Sequence, residues 1–159
     1  RPLAEIGGAS FGAYRPRVAP IVGIEPFELA GGHSFETDLI EIAGASSITH
    51  GGEEKRGRLG PSPADGMPAI VGAGPELYVY FSPEAPSAEE RARLRARLPA
   101  DIPLGFFPVE HDRFWLQAPA EGVLRLRRLI FDAVGMEIGS PAPPSGAVTT
   151  RSGTQGGAR

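Results

Sequence analysis

Hydrophobic positions along the chain repeat with two periods, and the two periods separate strands from helices. Leu77, Val79 and Phe81 alternate with Tyr78 and Tyr80, so residues 77–82 predict a strand with tyrosines on one face. Pro83 and Pro86 then turn the chain. Ser87 followed by Glu90 reads as a capping box opening a helix over 88–98. Arg91, Arg93, Arg95 and Arg97 alternate with Ala92, Leu94, Ala96 and Leu98, which is a strand period, but Leu94 and Leu98 are also i and i+4. The cap, the alanines and the lack of β-branched residues decide for helix. Residues 104–109 and 113–117 then read as a hairpin around Glu110-His111-Asp112. Pro119 suits the first turn of a second helix. Val123, Leu126, Ile130 and Val134 stripe that helix, with Arg125, Arg128 and Asp132 on its other side and Gly135 placed to end it. Residues 136–138 predict a last short strand.

The first half is more broken. Residues 18–24 predict a strand, which Pro20 would confine to a sheet edge. Phe27 and Leu29, two apart, are expected to face a core together, and Gly31-Gly32 marks a turn. Residues 35–42 read as a strand from their alternation and their late isoleucines, though the alternation is imperfect. A long loop is expected over 43–68 and a short strand over 69–71.

The fold class expected from this pattern is α+β. Residues 75–139 give the order β-α-β-β-α-(β), the split βαβ of ferredoxin-like domains, with both helices on one side of the sheet. Residues 1–74 would extend that core with short strands and loops, so that 1–139 form a single domain, and 140–159, rich in Pro, Ser, Thr and Gly, are expected to be a disordered tail.

Composition narrows the function classes. The 22 Gly and 17 Pro cluster outside the 75–139 core. The chain holds no Cys, which removes disulfides, thiolate metal sites and cysteine nucleophiles. Lys55 is the one lysine among 16 basic residues, and an arginine bias of this kind is either compositional or a preference for bidentate contacts. A net charge of −3 argues against a nucleic-acid binder. No apolar run approaches the ~20 residues of a membrane span and no signal peptide is visible, which leaves the compartment open with a slight lean to cytoplasmic. The start at Arg1 reads as a processed or trimmed product.

Candidate chemistry is sparse. Gly8-Ala9-Ser10-Phe11-Gly12 matches the G-x-S-x-G pattern that exposes a nucleophilic serine, but it lacks the preceding strand and following helix that the chemistry needs. His33 with Glu36, and His50 with Glu53, share an H-x-x-E spacing that puts two metal ligands together on a helix but not on a strand or loop. Glu110, His111 and Asp112 offer two carboxylates beside an imidazole, a set suited to acid–base work and equally to a polar hairpin tip. No cofactor fingerprint is present.

The binding candidates are clearer. Tyr78, Tyr80, Phe107 and Trp115 are expected on one sheet face, opposite the helices, with Arg91 and Arg95 nearby on the first helix. Aromatics and arginine concentrate binding energy at protein interfaces. The expected function is therefore a non-enzymatic module that recognises another protein. The alternative is a small hydrolase or metal-assisted enzyme using the His and carboxylate set, and a third reading is an RNA-binding sheet whose aromatics stack bases.

Overall fold

The computed structural model describes residues 14–50, 66–109 and 119–137. In chain order its strands are β1 (Arg17–Ile24), β2 (Phe27–Leu29), β3 (Ser46–Ser47), β4 (Leu77–Ser82) and β5 (Leu104–Pro108). Its helices are α1 (Phe35–Ile42), α2 (Gly66–Gly72), α3 (Ala88–Arg97) and α4 (Pro119–Val134). The strands form one mixed sheet of order β2-β1-β4-β5, with β3 also paired to β1. β2 runs antiparallel to β1, whereas β3 and β4 are parallel to β1 and β5 is parallel to β4. The protein is thus an α+β molecule, as expected.

Alternation along the strands splits the core in two. On one face, Val18, Leu77, Val79, Phe81, Phe107 and Val109 pack with Leu39, Ile40 and Ala43 around α1 and with Val123, Leu126, Ile130 and Phe131 of α4. On the other, Ala19, Ile21 and Tyr78 pack with Ile70 of α2 and with Leu94 and Leu98 at α3. The helices therefore cover both faces, and the expectation that α3 and α4 share one side is corrected. The pairing of β4 with β5 carries the same correction. A split βαβ would set a third strand between them, but the two are direct parallel neighbours in the register Tyr80↔Phe106. A parallel strand covered on both faces needs apolar residues at consecutive positions, and Leu77, Tyr78 and Val79 are all fully buried.

Two segments expected as strands are helices. Residues 35–42 form α1, because Ser34 caps it by accepting the Thr37 N–H at 3.2 Å, and Glu36 and Asp38 sit in the first turn where acids favour the helix. Read at helical spacing, Phe35, Leu39 and Ile42 make one stripe, a period that the imperfect alternation concealed. Gly44 ends it at φ 93°, where an L side chain would be strained. Residues 69–71 lie in the one-turn-and-more helix α2. Within the expected loop 43–68, Ser46 and Ser47 pair with Arg17 and Val18.

Pro20 sits in a strand with partners on both sides, not at an edge. Its tolerance has a local cause. The Val18 carbonyl accepts from Ile48 at 2.9 Å, and the Pro20 carbonyl accepts from Ala30 at 2.8 Å, so this flank of β1 passes from β3 to β2 at Pro20. The proline nitrogen lies at that changeover, where the pairing with β3 has ended and the pairing with β2 begins.

The remaining expectations fare differently. Leu29 is buried, and Phe27 packs beside it in the same cluster. The capping box of α3 is complete: Ser87 Oγ accepts the Glu90 N–H at 3.2 Å, and the Glu90 carboxylate accepts the Ser87 N–H at 2.7 Å. α4 ends at Gly135, φ 69°, with Met136 N–H on the Phe131 carbonyl at 3.0 Å and Gly135 N–H on Asp132 at 3.2 Å, the paired bonds of a glycine stop. Residues 136 and 137 are not strand. The second hairpin strand at 113–117 and the tail 140–159 lie outside the described residues.

Candidate binding surface

The aromatic candidates do not share a face. Tyr78 is fully buried in the cluster with α3's Leu94 and Leu98. Phe107 is buried on the opposite side of the sheet, edge-on to Phe81 with centroids 5.9 Å apart. Side chains alternate along a strand, so Phe106 and Phe107 must point to opposite faces. The register then decides which of them joins Tyr80, and it is Phe106, in an edge-to-face contact at 6.5 Å. Sequence reasoning chose the wrong phenylalanine because two adjacent aromatics leave the choice to the pairing. Trp115 lies outside the described residues. With helices over both faces, a bare sheet for stacking bases is absent among the described residues.

What the structure does bring together is Tyr80, Phe106 and Arg91. Tyr80 and Phe106 are half-buried, and the Arg91 guanidinium lies 4.8 Å over the Phe106 ring. Arg91 Nε also donates to the Pro86 carbonyl at 3.1 Å, so this exposed side chain is held at two points. Arg95, one turn further on, is differently employed. Its Nη1 donates to the Ile102 carbonyl at 2.9 Å and its Nη2 to Pro99, which ties the loop after α3 to the helix. Arg93 and Arg97 both reach Glu25 in the turn between β1 and β2, and Arg93 also pairs with Glu89, its i−4 neighbour.

Beside this strip, at the carboxyl end of β4, lies a notch of about 240 Å³ lined by Tyr80, Ser82, Pro83, Glu84, Ala85, Pro86 and Glu90. The carboxyl ends of parallel strands are where sheets of this kind place their sites. The sequence signal for it is Pro83-Glu84-Ala85-Pro86, a turn between a strand and a capped helix. The Ser82 hydroxyl donates to the Glu84 carbonyl, which folds the turn over the strand end. Burial, with the Glu90 charge in support, pushes the Tyr80 phenol above its usual range. The hydrogen bond from the Ser87 backbone holds the Glu90 carboxyl below its usual range.

No protein-family model matches the chain, and no curated protein matches it. The surface is therefore read from its own chemistry.

Neither of the two described histidines belongs to a group of three potential metal ligands among the described residues. His50 meets Glu41, with Nδ1 3.5 Å from the carboxylate. Glu41 is shared with Arg15 at 2.7 Å and with the Ser47 N–H at 3.0 Å. The Ser47 hydroxyl bonds to Thr49 at 2.9 Å and to Thr37 at 3.2 Å. His33 is exposed and Glu36 half-buried, on either side of the Ser34 cap. Among the described residues no group of three His, Cys, Asp or Glu could hold a metal, and no helix is long and apolar enough to cross a membrane. Ser10, Glu53, Glu110, His111 and Asp112 lie outside the described residues.

Proposed function

We propose that this chain is a non-enzymatic recognition module for another protein, and that its binding surface is the strip formed by Tyr80, Phe106, Arg91 and the 83–86 turn. The observation that carries the reading is the immobilisation of Arg91. A guanidinium fixed over an aromatic ring and through its Nε has already lost much of the rotamer freedom that an interface would otherwise have to remove. Aromatic and arginine side chains in such settings concentrate binding energy. The neighbouring arginines reach Glu25, Glu89 and the loop after α3, whereas Arg91 is the arginine of α3 whose guanidinium lies on the aromatic strip itself.

Affinity capture on the immobilised full chain tests this, comparing wild type with Arg91→Ala and with Arg128→Ala, an exposed arginine on the opposite layer. The reading expects a partner retained by wild type and Arg128→Ala and reduced at least about tenfold on Arg91→Ala, the loss typical of a hot-spot arginine. A partner set indifferent to Arg91→Ala overturns it.

A further inference from the structure

Resting on that reading, we infer that Arg91 receives the carboxylate of an aspartate or glutamate side chain of the partner protein, and that the Tyr80 and Phe106 rings take the apolar residues beside it. Part of the guanidinium is already in use. Its Nε donates to the Pro86 carbonyl at 3.1 Å, and its central carbon lies 4.8 Å over the centroid of the Phe106 ring. What is left is the end that carries Nη1 and Nη2, and neither nitrogen has a hydrogen-bond partner among the described residues. Paired N–H donors in one plane match the two oxygens of a carboxylate. A guanidinium fixed beforehand loses little freedom in meeting them.

The protein's own carboxylates do not take that end. Glu84, Glu89 and Glu90 stand close to Arg91 in sequence, yet none is ion-paired with it. Glu90 accepts the Ser87 N–H at 2.7 Å, Glu89 pairs with Arg93, and Glu84 is exposed in the 83–86 turn. These three glutamates repel an incoming anion, and the first turn of α3 offsets part of that repulsion. The Ala88 and Glu89 amides have no partner among the described residues and bias this end of the helix towards negative charge. The Tyr80 hydroxyl, held as a neutral phenol, is a further donor on the same strip. The source of the carboxylate is an internal side chain, since chain termini are captured in backbone nests and the groups along this strip are side chains.

The test is a titration of the ¹⁵N-labelled full chain with three pentapeptides, read from the Tyr80 and Phe106 amides. Two are capped at both ends, with the sequences Gly-Phe-Glu-Phe-Gly and Gly-Phe-Gln-Phe-Gly; the third repeats the glutamine sequence with a free terminal carboxylate. The capped glutamate peptide is expected to bind about fivefold more tightly than the other two. Arg91→Ala should abolish that preference, and Arg91→Lys, which keeps the charge but not the paired donors, should cut it to about twofold. Arg128→Ala, an equal loss of charge on the opposite layer, should leave it intact. Equal binding of the two capped peptides overturns the inference, as does a glutamate preference kept in full by Arg91→Ala or Arg91→Lys. A free-terminus peptide that binds as tightly as the glutamate one, or silence from all three, overturns it too. An Arg91-dependent partner without any glutamate preference refutes the carboxylate contact and leaves the recognition surface standing. A glutamate preference that Arg91→Ala abolishes, without any Arg91-dependent partner, upholds the chemistry of the contact and overturns the protein-recognition reading.

Discussion

Beneath α1 and α4 the sheet rests on fourteen buried apolar residues that form one cluster among the described residues, whereas beneath α2 and α3 the corresponding cluster has eight. The larger face is built from a sixteen-residue helix with an uninterrupted stripe, and buried Arg127 lies over Phe131 at its flank. The smaller face is covered by helices of seven and ten residues, and α3 buries only Leu94 within its own span. It also holds the Tyr78 hydroxyl and Arg95 Nε buried without a hydrogen-bond partner among the described residues. The proposed binding strip stands at the margin of this second face. The difference teaches a division of labour. One face supplies most of the apolar burial that stabilises the fold, and the other, less densely apolar, leaves aromatic and charged groups half-exposed for contact.

The most direct way to break this comparison is to truncate a leucine on each side. Leu126 and Leu94 are both fully buried. Leu126→Ala leaves a cavity walled by the larger cluster, which cannot collapse into it, and should cost about 4 kcal/mol; Leu94→Ala sits under a short helix free to settle, and should cost about 2 kcal/mol. Denaturant unfolding gives both values. Equal losses would mean that the two faces carry equal shares of the stability, and the division would fall.

Two glycines sharpen the same contrast at smaller scale. A Cβ on Gly23 would stand 2.8 Å from the Pro26 carbonyl oxygen, and one on Gly105 would stand 2.7 Å from Leu129 Cδ2. The distances are alike, but the obstacles are not. The first is backbone at the irregular β1–β2 junction and cannot step aside; the second is the tip of a half-buried leucine that can change rotamer. Gly23→Ala should cost about 2–3 kcal/mol and Gly105→Ala about 1 kcal/mol, read from the shift in thermal midpoint. The reverse order would mean that α4 is packed on β5 more rigidly than the partial exposure of Leu129 implies.

Much of the fold was legible where one period ruled alone. The stripe of α4, the capping box of α3 and the apolar run of β4 each carry a local cause, and each stands where the residues put it. Residues 35–42 misled because eight residues with apolar groups at 35, 39, 40 and 42 fit either period, and the deciding feature was the Ser34 side chain before them. The layer to which each helix belongs was not legible at all. Nothing local to α3 or α4 states that they lie on opposite faces; that follows from β4 and β5 pairing directly. The same pairing replaced Phe107 with Phe106 in the candidate surface, so the site failed with the topology and not through any misreading of aromatic chemistry.

The smallest expected effect tests the polar side of the comparison. Tyr78 is fully buried, burial holds its phenol above the ordinary range, and its hydroxyl has no hydrogen-bond partner among the described residues. Such a group costs its desolvation without the return of a bond, whereas the ring alone keeps every apolar contact with Leu94 and Leu98. Tyr78→Phe should therefore leave stability unchanged or raise it by about 1 kcal/mol, in contrast to the usual loss when a buried hydrogen-bonded tyrosine is trimmed. A loss of more than about 1 kcal/mol would show that the hydroxyl is satisfied in solution. The face beneath α3 would then be held by specific polar bonds as firmly as the other is by apolar packing, and its suitability for adaptable contact would lose its physical ground.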